Sequence, residues 1–203
     1  MGEFTNQTKE ILQSSGGHIF YEFQLVDVYI KNTVSYITAG IKQGDHVIVI
    51  ENDHFFPKIL HQLKNELSRE ELEKVHYIHN FDFYCFRGDF YYKSIISYFE
   101  KYVEPFFERG IPIRTWAHVE WGDSEQLTYY VGEYEKEVDQ TLVSLGLTSV
   151  CAYDEKRVPP EFRQTLLSCH RLYMNDQEVF NITENMELER VHLSAESFSN
   201  RNF

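Results

Sequence analysis

The residues that most constrain this chain are His46 to Ile50, whose sequence HVIVI is a nearly continuous β-branched run. A strand of that composition is one covered on both faces, because any exposed face would interrupt the run with polar residues at every second position. The flanking sequence supplies the cover. From Leu25 to Lys42 the residues Val28, Tyr29, Thr33, Tyr36, Ile37 and Ile41 recur at three- and four-residue spacing, and Gly44 provides a helix stop. Beyond the strand, Asp53 is placed to cap a helix over Phe56 to Leu67.

The same alternation runs through the rest of the chain. Strands are expected at Gly17–Phe23, Val75–His79, Ile111–Val119 and Thr148–Tyr153, and helices at Tyr91–Arg109, Ser124–Ser144 and Glu161–Cys169. Residues 80 to 90, NFDFYCFRGDF, read as an irregular, exposed aromatic loop, and Arg171–Asn181 as an edge hairpin around Asn175-Asp176. Strands joined by helices of this length imply right-handed crossovers and a mostly parallel sheet, the middle layer of a three-layer α/β sandwich. At 203 residues the chain suits one domain, with a polar leader over 1–16 and a polar tail over 182–203 that is expected as a short helix followed by disorder.

Charge narrows the partners. With 32 acidic against 19 basic residues the net charge is −13, which opposes a nucleic-acid backbone or an anionic membrane surface. The three cysteines, Cys85, Cys151 and Cys169, are scattered and odd in number, as reduced thiols in the cytoplasm would be. The N-terminal residues lack the pattern of a signal peptide and no stretch reaches about 20 apolar residues, so a cytoplasmic location is expected.

Several short motifs, unspecific singly, hold together in order and spacing. They are Gly17-His18-Ile19 with Tyr21, Ala39-Gly40-Ile41 before Gly44-Asp45, Gly88-Asp89-Phe90, Arg114-Thr115, Glu120-Trp121, Tyr134-Glu135, Cys151-Ala152-Tyr153-Asp154 and His170. In these the chain resembles the DcmR-like sensory domain family, also called MEDS, from about Gly17 to about Asn181. The sequence departs from that pattern at Arg171, where the family has Pro, and at Gly122, where Ala is common. The resemblance implies a relative of the RecA/KaiC-like fold, a role in signal transduction, and sensing of a small, hydrocarbon-like molecule. Without an appended kinase or helix-turn-helix module, output is expected to pass through a signalling partner such as a kinase or transcription regulator.

A RecA-like ATPase needs GxxxxGK[ST] after its first strand, so that backbone N–H groups and a lysine hold the phosphates. Here that stretch is EFQLVDVYIKN, without glycine, so any P-loop is degenerate. In an open α/β sheet ligands bind beyond the carboxyl ends of the strands. Those ends assemble a candidate ligand-binding set of Tyr21, Glu22, Glu51, His118, Glu120, Trp121, Cys151, Tyr153 and His170, aromatic walls with a few polar groups. Each aromatic taken singly is as well explained as core.

Metal and enzyme readings are weaker. His118, Glu120, Asp123, Cys151 and His170 include ligand types for zinc, but their spacing is not diagnostic, and no metal or cofactor is expected. A hydrolase would use Cys151 as nucleophile, His118 or His170 as base and Glu120 as orienter, yet no nucleophile elbow is present and no catalytic residues are assigned. The helix over 124–144 carries Glu125, Glu133, Glu135, Glu137 and Asp139 and reads as an acidic face for a basic partner. The expectation is therefore a stand-alone sensory module, with a ligand-free interaction regulator second and a cryptic hydrolase third.

Overall fold

A computed structural model describes residues 5–13, 17–84, 91–121 and 125–182, with side chains from 129 onward in the last of these. Seven strands form one sheet: β1 (His18–Phe23), β2 (His46–Glu51), β3 (Val75–His79), β4 (Ile113–His118), β5 (Thr148–Asp154), β6 (Leu172–Met174) and β7 (Val179–Asn181). Their order is β3-β2-β4-β5-β1-β6-β7, all parallel except the last pair. β2 thus lies between two neighbours, as its β-branched run requires.

The helices are α1 (Asn6–Gln13), α2 (Val26–Gln43), α3 (Phe56–Glu66), α4 (Arg69–Leu72), α5 (Asn80–Tyr84), α6 (Tyr92–Glu108), α7 (Glu125–Leu145) and α8 (Pro160–Cys169). The chain moves toward one sheet edge from β1 to β3 and toward the other from β3 to β6, so right-handed crossovers put α2 and α3 on one face and α6, α7 and α8 on the other. Two cores follow. Ile19, Tyr21, Val47, Val49, Trp116 and Val150 pack toward α2 and α3, and Phe20, Ile48, Ile50, Ala117, Cys151 and Tyr153 pack toward α6–α8. The period-two alternation of the strands divides them.

Local chemistry closes the elements. α2 ends where Gly44 takes a φ of 100°, a left-handed conformation that suits glycine, and the Gly44 and Asp45 amides reach back to Ile41 and Gly40. Ser68 and Glu71 form a reciprocal capping box at α4.

Within the polar leader, Asn6–Gln13 is a helix whose Ile11 is buried in the core that it shares with α2. One expectation changes. The aromatic segment is not an exposed loop throughout: α5 occupies its start and buries Phe83 and Tyr84, leaving Phe81 exposed. Residues 85–90, including Cys85 and the Gly88-Asp89-Phe90 motif, lie outside the described residues, as do Gly122, Asp123 and the tail from 183. Among the described residues no helix is long and apolar enough to cross a membrane.

Candidate functional site

The nine candidate residues do not form one site; the pleat of the sheet sorts them into separate groups. Tyr21 and Glu22 are adjacent and therefore face opposite layers. The Tyr21 hydroxyl donates to Asp176 Oδ1 at 2.7 Å and accepts from Asn32. Glu22, on the other face, takes Arg163 at 2.6 Å and the Tyr173 hydroxyl at 2.9 Å.

At the carboxyl ends of β2 and β4, on the α2–α3 side, Glu51 and His118 form a buried pair at 2.7 Å. The Tyr29 hydroxyl donates to the second oxygen of Glu51 and accepts from the Trp116 indole N–H at 2.9 Å. Glu120 stands at the rim, where Asn52 and Asn80 donate to it at 3.0 and 2.6 Å. Burial raises the Glu120 carboxyl, but His118 and these two amides outweigh it and leave it below its ordinary range.

On the opposite face Trp121, Tyr153 and Phe162 pack edge to face, with the Arg157 guanidinium 5.1 Å above the Trp121 ring. Tyr153 links this group to the next, since its hydroxyl donates to Glu135 Oε1 on α7.

The deepest group joins Cys151 and His170 to two residues absent from the candidate set, His18 and Glu135. His18 Nε2 is 3.3 Å from Cys151 Sγ and 3.1 Å from Glu135 Oε2, and His170 Nε2 is 3.5 Å from that same oxygen. The two imidazoles stack at 3.7 Å. Burial and the neighbouring His18 push the His170 pKa down to about 3, so its ring is neutral. Burial also disfavours a charged His18, but Cys151, Asp139 and Glu135 around it outweigh this and hold it well above the ordinary histidine value. Burial likewise works against the Glu135 carboxylate, and the two histidines keep it below its usual value.

Glu135 is fully buried and so does not belong to an acidic face of α7. Helical spacing carried that signal: Val131, Glu135 and Leu142 lie on one buried stripe. His18 gave no such sign, because it opens β1 while ligands were sought where strands end.

A small, mostly apolar cavity of about 20 Å³ adjoins this group, between the sheet and α5–α7. Ile50, Phe83, Phe99, Ala117 and Leu142 line it, together with the polar Thr115, Ser149, Tyr134 and Cys151.

Residues 17–171 match MEDS, the methanogen/methylotroph, DcmR sensory domain. The chain belongs to this family. A sensory and signalling role follows from membership in the MEDS family, and it favours a non-enzymatic domain. A search of curated proteins finds no match. The chemistry of the MEDS core does not support Cys151 as a nucleophile. Burial pushes the Cys151 thiol up to about 11, the opposite of an activated nucleophile. His118 lies across the sheet from Cys151, so it cannot serve as its base.

Proposed function

We propose that this MEDS domain senses a small, largely apolar molecule in the cavity between the sheet and α6–α7, and signals occupancy to a protein partner through those helices. The observation that carries the reading is the cavity itself, a mostly apolar space whose lining includes Cys151 and Tyr134, both within motifs of the family resemblance. Its volume, about 20 Å³, accommodates one water-sized guest. A somewhat larger guest has to displace Phe99, Val138 or Leu142, which belong to α6 and α7. Occupancy thereby biases helix position, and a ligand that prefers the displaced arrangement shifts the population toward it.

Two further features fit a binding role without nucleotide chemistry. The turn between β1 and α2 offers its Gln24 and Leu25 amides to the Asp176 carboxylate, at 3.0 and 2.8 Å. An anion of this chain thus already occupies the place where a phosphate-binding turn would take its ligand. The Glu51–His118–Glu120 group, although at the strand ends, is tied together by internal hydrogen bonds and reads as a stabilising network.

Titration of the methyl-labelled full chain with one-carbon and two-carbon halides and alcohols tests the proposal by NMR. Saturable shifts concentrated at Ile50, Ile96, Val138 and Leu142 are expected. Shifts that grow linearly, or that cluster on another surface, would remove the cavity as the sensing site.

A further inference from the structure

Among the described residues, His18, Glu135, Cys151 and His170 bring one donor atom each within 4.8 Å of one another, all from fully or almost fully buried side chains. They come from four elements: the start of β1, the middle of β5, the inner face of α7 and the residue after α8. We propose that these four residues bind one divalent transition-metal ion, zinc by preference, in a closed site behind the cavity. The inference goes beyond the sensing of an apolar guest and does not depend on it.

Distances come first. Zinc bonds of about 2.0–2.3 Å in a tetrahedron place donors about 3.3–3.8 Å apart. The separations of 3.1, 3.3 and 3.5 Å among His18, Cys151, Glu135 and His170 already approach that spacing.

Orientation is the second argument. His170 Nδ1 lies 2.7 Å from the Leu166 carbonyl, which fixes the proton there and turns the Nε2 lone pair inward. His18 Nδ1 faces the Cys169 carbonyl at 3.3 Å and Asp139 at 3.5 Å, with the same consequence for its Nε2. The Tyr153 hydroxyl holds Glu135 Oε1, leaving Oε2 pointed at the centre. Outer partners of this kind orient metal ligands and set the histidine tautomer.

The third argument is what the protein leaves unsatisfied. His170 Nε2 is buried without a hydrogen bond, and Glu135 Oε2 has only the two imidazole nitrogens beside it, at 3.1 and 3.5 Å. Groups so placed carry a desolvation cost that needs a compensating partner. A dication answers both: with one carboxylate, one thiolate and two neutral imidazoles the cluster sums to zero charge, so no net charge is buried. Thiolate with imidazole selects zinc over the oxygen-seeking magnesium or calcium, and a monovalent ion would leave the site negative. Four protein ligands in a buried site leave no open position, which points to an ion that fixes the core instead of one that activates water. It would pin β1 and β5 to α7 and α8 immediately beside the cavity wall.

The competing occupant is a proton on His18, bridging Glu135 and Cys151. Elemental analysis and X-ray absorption of the full chain, stripped of metal and reloaded with zinc, separate the two. One equivalent of zinc per chain is expected, with one sulfur and three nitrogen or oxygen neighbours. Cobalt loading should give a thiolate-to-metal charge-transfer band that Cys151→Ser abolishes, and His170→Asn should weaken binding by about tenfold or more. Failure of the stripped chain to take up stoichiometric zinc or cobalt overturns the proposal. So does a shell without sulfur, or unchanged affinity in both variants. Should the variants not fold, the absorption spectrum of the unmodified chain decides alone.

Discussion

His118 on β4 and Glu51 on β2 meet at 2.7 Å in a buried pair, stacked beneath the Phe55 ring. Burial opposes the imidazolium, but the hydrogen bond and charge of Glu51, with Glu120 and Asp154 beyond, overcome it and raise His118 above the ordinary value. A raised histidine contributes stability that is complete below the unfolded value of about 6.5 and is lost as pH rises through the folded one. Urea unfolding should therefore show a stability decline above about pH 6.5 that His118→Asn reduces, with His18, raised in the same direction, supplying the remainder. An equal slope in the variant would exclude this pair as its source.

The second prediction concerns Asp176, whose carboxylate accepts from the Gln24 and Leu25 amides and from Tyr21. Asp176→Ala removes the acceptor of all three hydrogen bonds at the start of α2 and should cost about 1–2 kcal/mol, measured as a drop in the urea midpoint at constant slope. A midpoint unchanged from the parent would mean that water replaces the carboxylate without loss.

Gly40 sets two effects against each other. Alanine is favoured over glycine inside a helix by about 1 kcal/mol. A methyl at Gly40, however, would meet Arg114 Cδ at 2.7 Å and Nε at 2.8 Å. That arginine is held by Asp45 and Gln43 and lies over Tyr36, so it has little room to yield. Gly40→Ala should destabilise by about 1–3 kcal/mol, because overpacking outweighs propensity. Stabilisation in a thermal melt would show that Arg114 moves aside freely.

Ala117 lines the cavity from β4. Ala117→Val extends into that space and adds two methyl groups, more than its one water-sized volume holds, so it should destabilise by about 1–3 kcal/mol in a urea melt. The same change should eliminate saturable binding of small halides and alcohols. Retained binding in a folded variant would place the guest elsewhere.

Much of the architecture was legible before any coordinates. The strand at His46–Ile50, the helix ending at Gly44 and the parallel order of layers follow from local periodicities and from the handedness of crossovers, neither of which needs knowledge of distant contacts. The site was legible only in pieces. Cys151 and His170 belong to the candidate set, whereas Glu135 reads from sequence as part of an acidic face for a basic partner, although its place on the stripe with Val131 and Leu142 puts it inside. The period-two rule separates Tyr21 from Glu22 within β1, whereas the separation of Cys151 from His118 depends on the register that pairs Ala117 with Cys151 across β4 and β5.

By itself, then, the sequence determined the elements, the α/β class and the family resemblance, because each depends on patterns read within a few residues or along the chain in order. Tertiary structure alone decided that His18, at the start of one strand, would meet Glu135, Cys151 and His170 from three other elements. Such convergence is a property of strand order and helix rotation. Packing of the two cores sets both, and no spacing along the chain encodes them.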